Sequence, residues 1–162
     1  MLHDVLTLAE QEVQGELARK GLSLTREGND SLIVAADPTH LRRIFGALLH
    51  NAVDYTQQGG VTMTCSLQEN RVIVTIADTG VGIQPTGLGQ LFAKPKLGTL
   101  LRGRGLSLYV ARLLAKTMRG DVTLVSTELE NGSTFAVVFP QASKPASADT
   151  DTPAEPVAVS KT

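Results

Sequence analysis

Val72-Ile73-Val74-Thr75-Ile76-Ala77-Asp78-Thr79-Gly80-Val81-Gly82-Ile83 is an apolar run closed by an acid and by two glycines one residue apart. The apolar part reads as a buried strand. An acid at the end of a strand is a rigidly held acceptor, and Gly80 and Gly82 let another group approach the backbone closely. The pattern alone also suits an ordinary turn, so its meaning depends on what surrounds it.

Outward from this corner the elements follow in order. Arg71–Ala77 is the returning arm of a hairpin whose first arm alternates Val61, Met63, Cys65 and Leu67 with Thr62, Thr64 and Ser66 across the loop Gln68–Asn70. Upstream, Asp37-Pro38 marks a helix start, with an N-cap acid before proline at the first helical position. Leu41, Ile44, Phe45, Leu48, Leu49 and Ala52 make its apolar face, Asn51 lies at the edge of that face, and the helix ends near Tyr55-Thr56. A first helix carries Leu2, Val5, Leu6, Ala9, Val13 and Leu17 and stops at Gly21. A strand at Leu22–Thr25 is expected to pair with Leu32–Ala35 across Glu27-Gly28-Asn29-Asp30. Downstream, Gln84–Arg104 has no strong periodicity, which in a compact domain marks a functional or mobile segment. Gly103-Arg104-Gly105 opens a helix with Leu106, Val110, Leu113, Leu114 and Met118 on its apolar face, ended by Gly120. Val122, Leu124 and Ser126 alternate in a strand, Asn131-Gly132 turns, and Thr134–Phe139 is the last strand. Residues 1–140 are thus one domain. Residues 141–162, rich in Ala, Ser, Thr and Pro, cannot bury enough apolar surface to order themselves and read as a tail or linker.

Composition narrows the function classes. A chain of 162 residues with a net charge of −1 offers no general surface for nucleic acid or membrane. Its single cysteine, Cys65, lies on an alternating strand and cannot form an internal disulfide. His3, His40 and His50 have no metal-ligand spacing. No run reaches transmembrane length.

Three pieces carry the chemistry. Gly103 to Gly105 frees backbone N–H groups at a helix start, where the dipole favours anions, and Arg102 and Arg104 add charge. The dinucleotide and P-loop fingerprints both fail on spacing. With the amide of Asn51 and the corner Asp78 to Gly82, these pieces suit an adenine, a metal-bound triphosphate and a lid. Asp78 would accept from the adenine amino group, and Asn51 would offer a hard oxygen to Mg²⁺.

At this point the chain resembles the catalytic ATP-binding domain of bacterial sensor histidine kinases, within the wider class shared with gyrase, Hsp90 and MutL. Leu48-Leu49-His50-Asn51-Ala52-Val53-Asp54-Tyr55-Thr56 is similar to the N box, and Asp78-Thr79-Gly80-Val81-Gly82-Ile83 to the G1 box. Leu91-Phe92 is similar to the F box, Gly103-Arg104-Gly105-Leu106-Ser107-Leu108 to G2, and Gly132-Ser133-Thr134-Phe135 to the terminal G3 segment. The resemblance runs from about Val5 to Pro140. It implies a two-layer α/β sandwich, a mixed sheet packed on about three helices, with ATP and Mg²⁺ as ligands. Asn51 would be the magnesium ligand, Tyr55 would pack near the adenine, and Gly80, Gly82, Gly103 and Gly105 would let the backbone approach the nucleotide. Ile83, Leu106 and Thr134 stand in the same boxes and complete the expected site with Arg102 and Arg104. Gln84–Arg102 would be a mobile lid.

The family implies phosphoryl transfer to a histidine on a separate dimerisation domain, then to a response regulator. No such hairpin precedes Leu2, so the domain alone is expected to bind ATP without autophosphorylating, as a cytoplasmic monomer, alone or as the cytoplasmic portion of a membrane-bound sensor. Three positions depart from the family pattern: Ala47 replaces a second asparagine, Asp54 a lysine facing the phosphates, and Ser107 the third G2 glycine. Alanine at position 47 cannot serve as a general base toward water, which disfavours intrinsic hydrolysis. The departures also leave open a pseudokinase, a nucleotide-poor module that binds or regulates proteins.

Overall fold

The computed structural model describes residues 1–94 and 108–142. Helix α1 (Leu2–Lys20) buries Leu2, Val5, Leu6, Ala9, Val13 and Leu17, the stripe expected from their spacing. It ends where Gly21 takes the left-handed conformation at φ 67° and turns its N–H back to Ala18 O. Helix α2 (Pro38–Tyr55) starts as its sequence predicts: the Asp37 carboxylate accepts the N–H of His40 at 3.0 Å, with Pro38 in the first turn. That backbone hydrogen bond holds the Asp37 carboxyl below its usual range. The apolar face of α2 is buried from Leu41 to Val53 and packs against α1, the sheet and helix α4 (Leu108–Thr117).

Five strands form one mixed sheet in the order β1-β2-β3-β5-β4. They are β1 (Ser23–Gly28), β2 (Gly60–Gln68), β3 (Arg71–Asp78), β4 (Asp121–Glu128) and β5 (Gly132–Pro140). The β2–β3 hairpin closes on Gln68↔Arg71 through Glu69 and Asn70, both at positive φ, the two-residue turn whose twist matches the strands. Val61, Met63, Cys65, Val72, Val74 and Ile76 point to the helices and are buried. Burial pushes the Cys65 thiol up to about 11. One short helix, α3 (Pro85–Leu88), lies after the corner. The architecture is the expected two-layer α/β arrangement of a mixed sheet and helices.

Two expectations are corrected. The strand after α1 does not form a hairpin with Leu32–Ala35. Instead β1 runs parallel to β2, from Ser23↔Gly60 to Gly28↔Cys65, with α2 as the crossover. The polar turn is real but leads out of the sheet: Asn29 N–H donates to Cys65 O at 3.0 Å and Asn29 Oδ1 accepts Ser31 N–H at 3.1 Å. Leu32 then enters the core, and Val34 makes only an isolated bridge with Gln141. In α4 the buried stripe is Leu108, Ala111 and Ala115, while Leu113 is 52% exposed. Small residues let this helix sit close to its neighbours, so the bulkier Leu113 faces outward. Gly120 does end the turn, donating to Ala115 O, with Arg119 in the left-handed position just before it.

Hydrogen bonding continues past β5. Gln141 N–H donates to Asn70 O and Ala142 N–H to Ile33 O. Residues 143–162, most of the expected tail, lie outside the described residues. No described helix is long and apolar enough to cross a membrane.

Candidate functional site

The last two turns of α2, the corner after β3 and the start of β5 meet around a cleft of about 410 Å³. Its walls include Asn51, Ala52 and Tyr55 from α2, and Asp78, Gly82, Ile83 and Gln84 from the corner. Leu91, Leu108, Ser133 and Phe135 close it from the other side. A cavity of this size, largely apolar with a few convergent polar groups, is what a small organic ligand requires.

Asp78 is its main electrostatic feature. Its Oδ1 accepts the N–H of Gly80 at 2.9 Å and of Ser133 at 3.2 Å. Oδ2 makes no hydrogen bond among the described residues. Burial pushes the carboxyl up from its usual range, and the two amides offset part of that rise. One oxygen is thus spent on the fold, and the other is left as an acceptor on a residue that lines the cleft.

The corner is stitched on both sides. Val81 N–H donates to Tyr55 O at the end of α2 (3.1 Å), and Glu130 N–H from the β4–β5 turn donates to Val81 O (3.0 Å). Ile83 N–H donates to Thr127 Oγ1 at 2.9 Å, and Thr127 Oγ1 in turn lies 2.9 Å from Ser133 Oγ. The glycines follow from this stitching. A Cβ on Gly80 would run into Tyr55 O and Asp78 Oδ1, and Gly82, at φ 70°, leaves no room for one beside Glu128 O. Both are needed by the chain's own close approaches before any ligand is considered.

On the far wall, Phe92 meets Phe135 edge-on with centroids 6.4 Å apart, and the Arg112 guanidinium stacks 4.9 Å from the Phe92 centroid. Arg112 and Lys116 both pair with Asp121, at 2.9 and 2.7 Å. Burial would raise the Asp121 carboxyl, but these two cations outweigh it and hold it below its usual range.

Of the residues expected at the site, Asn51, Tyr55, Asp78, Gly82 and Ile83 come together around the cleft. The Asn51 side chain is half-buried and makes no hydrogen bond among the described residues. Tyr55 is 62% exposed at the mouth. Gly80 sits behind the corner. Thr134 does not line the cleft itself; it lines an adjoining depression with Ser126 and Asn131 that shares Asp78 and Ser133 with the cleft. Strand alternation gives the cleft Ser133 and Phe135 instead. Arg102, Gly103, Arg104, Gly105 and Leu106 lie outside the described residues, as does Ser107. Of the expected lid, residues 84–94 are described and 95–102 are not. Ala47 is buried and Asp54 exposed, and neither is part of the cleft lining.

Six further lining residues, Ala52, Gln84, Leu91, Leu108, Ser133 and Phe135, stand in the quoted boxes or the expected lid but were not among the expected site residues. Ser133 and Phe135 were findable by phasing the last strand's alternation from the Asn131-Gly132 turn.

Comparison with known proteins gives consistent matches. The family described as histidine kinase-, DNA gyrase B- and HSP90-like ATPase matches residues 36–143. The aerobic respiration control sensor protein ArcB of Escherichia coli is 38% identical over 118 residues, covering 65% of this chain and 14% of that protein. The circadian input-output histidine kinase CikA of Synechococcus elongatus is 36% identical over 142 residues, covering 83% of this chain and 18% of that protein. The chain therefore spans less than a fifth of these relatives' length. Among solved structures, full-length ShkA in complex with AMPPNP superposes with a TM-score of 0.76 at 28% identity, over 89% of this chain and 31% of that one. The nucleotide-free catalytic domain of histidine kinase ThkA shares the fold, with a TM-score of 0.74 at 22% identity over 86% of this chain and 92% of that one.

Proposed function

Because the chain belongs to the histidine kinase-, DNA gyrase B- and HSP90-like ATPase family, and is of the sensor histidine kinase type, we propose that it binds Mg-ATP and positions it for phosphoryl transfer to a histidine on a separate dimerisation domain. The observation that carries this is Asp78: a rigid acid at the wall of an apolar cleft, with one oxygen held by two amides and the other without a hydrogen bond among the described residues. That oxygen suits the exocyclic amino group of adenine. Ile83, Leu91 and Phe135 would sandwich the base, and Tyr55 would cover it at the mouth.

The residues present fit a magnesium ion. Asn51 brings one neutral amide with no described hydrogen-bond partner to the cleft wall, and magnesium usually takes few protein ligands, completing its shell with phosphate oxygens and water. When bound, the ion would neutralise phosphate charge. No acid or base on this chain need take part in the transfer, and Ala47 has no proton to exchange. The histidine-bearing domain and a response regulator are the proposed partners, in the cytoplasm, and the domain alone would be a monomer that does not phosphorylate itself.

A pseudokinase is the alternative, favoured by the three departures from the family pattern at Ala47, Asp54 and Ser107. Calorimetric titration with ATP, with and without Mg²⁺, separates the two. Saturable binding that weakens on chelating magnesium supports the kinase module; absence of heat at millimolar ATP supports the pseudokinase.

A further inference from the structure

We propose that Lys20, the last residue of α1, is a positioning residue for the cleft, acting on the C-terminal turn of α2. Its Nζ donates to three carbonyls of that turn: Val53 O at 2.6 Å, Asp54 O at 3.1 Å and Thr56 O at 3.2 Å. An ammonium has three donors and no acceptor, so it is fully matched by three converging carbonyls. Within its own chain segment the only backbone N–H that closes the turn, among the described residues, is that of Thr56, which donates to Val53 O at 3.4 Å. Helix α2 has no basic residue in its last turn, and Thr56 beyond it is extended (φ −103°, ψ 129°), with no left-handed glycine to fold back over the final carbonyls. The cap comes from a different helix, and its positive charge complements the negative end of the α2 dipole.

The capped turn is where the two walls of the cleft join. Tyr55, between the capped carbonyls, lines the cleft and accepts Val81 N–H from the corner at 3.1 Å. Thr56, fully buried, donates its hydroxyl to Ala52 O at 2.6 Å, and Ala52 lines the cleft as well. Asn51 stands one turn before Tyr55. Lys20 therefore sets where the helix wall with Asn51 and Tyr55 meets the corner with Asp78, while lying outside the cleft lining itself. Gly21 turns the chain immediately after it, so the ammonium is held from the rigid end of a helix.

The inference rests on the nucleotide reading for its functional consequence but is tested apart from it. Lys20→Met and Lys20→Arg are compared with the parent by amide NMR and by Mg-ATP titration. In Lys20→Met the backbone amide of Val81 and the side-chain amide of Asn51 should shift, and Mg-ATP affinity should fall about fivefold or more, as loss of a charge-assisted cap implies. Lys20→Arg, which keeps the charge and the donors, should recover most of the affinity. Unmoved Val81 and Asn51 resonances in folded Lys20→Met overturn the inference, as does unchanged affinity in a parent that binds. A parent that binds no ATP overturns the proposed function instead, and the resonances still decide the role of Lys20. If Lys20→Met does not fold, Lys20→Gln is judged by the same two readouts.

Discussion

Asp78 Oδ1 accepts the backbone N–H of Ser133 at 3.2 Å, tying the end of β3 to the start of β5 at the cleft wall. The same oxygen accepts Gly80 N–H, so the carboxylate is oriented by two amides. Its second oxygen therefore has a fixed position relative to any ligand.

Asp78→Asn isolates the role of that second oxygen. The substituted side chain can keep its carbonyl on Gly80 and Ser133, which places an NH₂ donor where Oδ2 was. A ligand amino group would then face another donor. Mg-ATP affinity should fall by about 1–3 kcal/mol, the cost of a buried polar group left unpaired, while the fold survives. Titration alongside thermal melting checks both halves, and full affinity in a folded variant refutes the assignment.

Acidity should act through the same group. Burial raises the Asp78 carboxyl above its unfolded value of 3.8, so the folded state holds the proton more tightly than the unfolded chain. Below the unfolded pKa the group is protonated in both states and costs nothing. As pH rises through the folded pKa, ionisation in the cleft opposes folding. Asp78→Asn should therefore melt at least as high as the parent at neutral pH, with the difference closing as pH falls toward 3.8. As pH falls, nucleotide affinity of the parent should begin to drop sooner than an unshifted aspartate would allow. A variant that melts markedly lower at neutral pH than at acid pH, relative to the parent, would contradict the shift.

Gly80→Ala tests whether the corner glycine serves the fold. The added Cβ meets the Tyr55 carbonyl and the Asp78 carboxylate, so urea unfolding without ligand should show a loss of about 1–3 kcal/mol. If stability is unchanged and only nucleotide binding suffers, the glycine serves the ligand instead.

Asp54→Lys tests the charge reversal in the second helix. Asp54 is exposed and outside the described cleft lining, so its effect on a triphosphate is expected to be a screened Coulomb interaction. Mg-ATP affinity should rise by no more than about 1 kcal/mol at low salt and be unaltered at high salt. A large gain that persists in salt would place this side chain against the phosphates.

Much of the site was legible because it depends on local rules. The Asp37-Pro38 start phases α2 and thereby sets Asn51 at the edge of its apolar face. The apolar run ending in Asp78 marks a strand and its corner without reference to anything distant. What escaped is non-local. A polar turn at Glu27 to Asp30 looks the same whether the chain folds back as a hairpin or leaves the sheet, and the parallel partner of β1 is separated from it by the whole of α2. Thr134 was placed in the cleft from its box, whereas the face it presents depends on how Gly132, at φ 97°, enters the strand. In α4 the spacing could not tell that a stripe of alanines would be preferred over Leu113 for close packing.

The parallel pairing of β1 with β2 also sets an order of events. The β2–β3 hairpin closes through two residues and can form early. By contrast, joining Ser23 to Gly60 must close a gap that contains the whole of α2, so this pairing is expected to come later. Parallel pairing is also slightly weaker per residue, and β1 is an edge. The amides of β1 should thus be the last of the sheet to become protected in refolding. In the native protein they should exchange before those of β3 and β5, so that the first event in coming apart is the loosening of the strand farthest from β4.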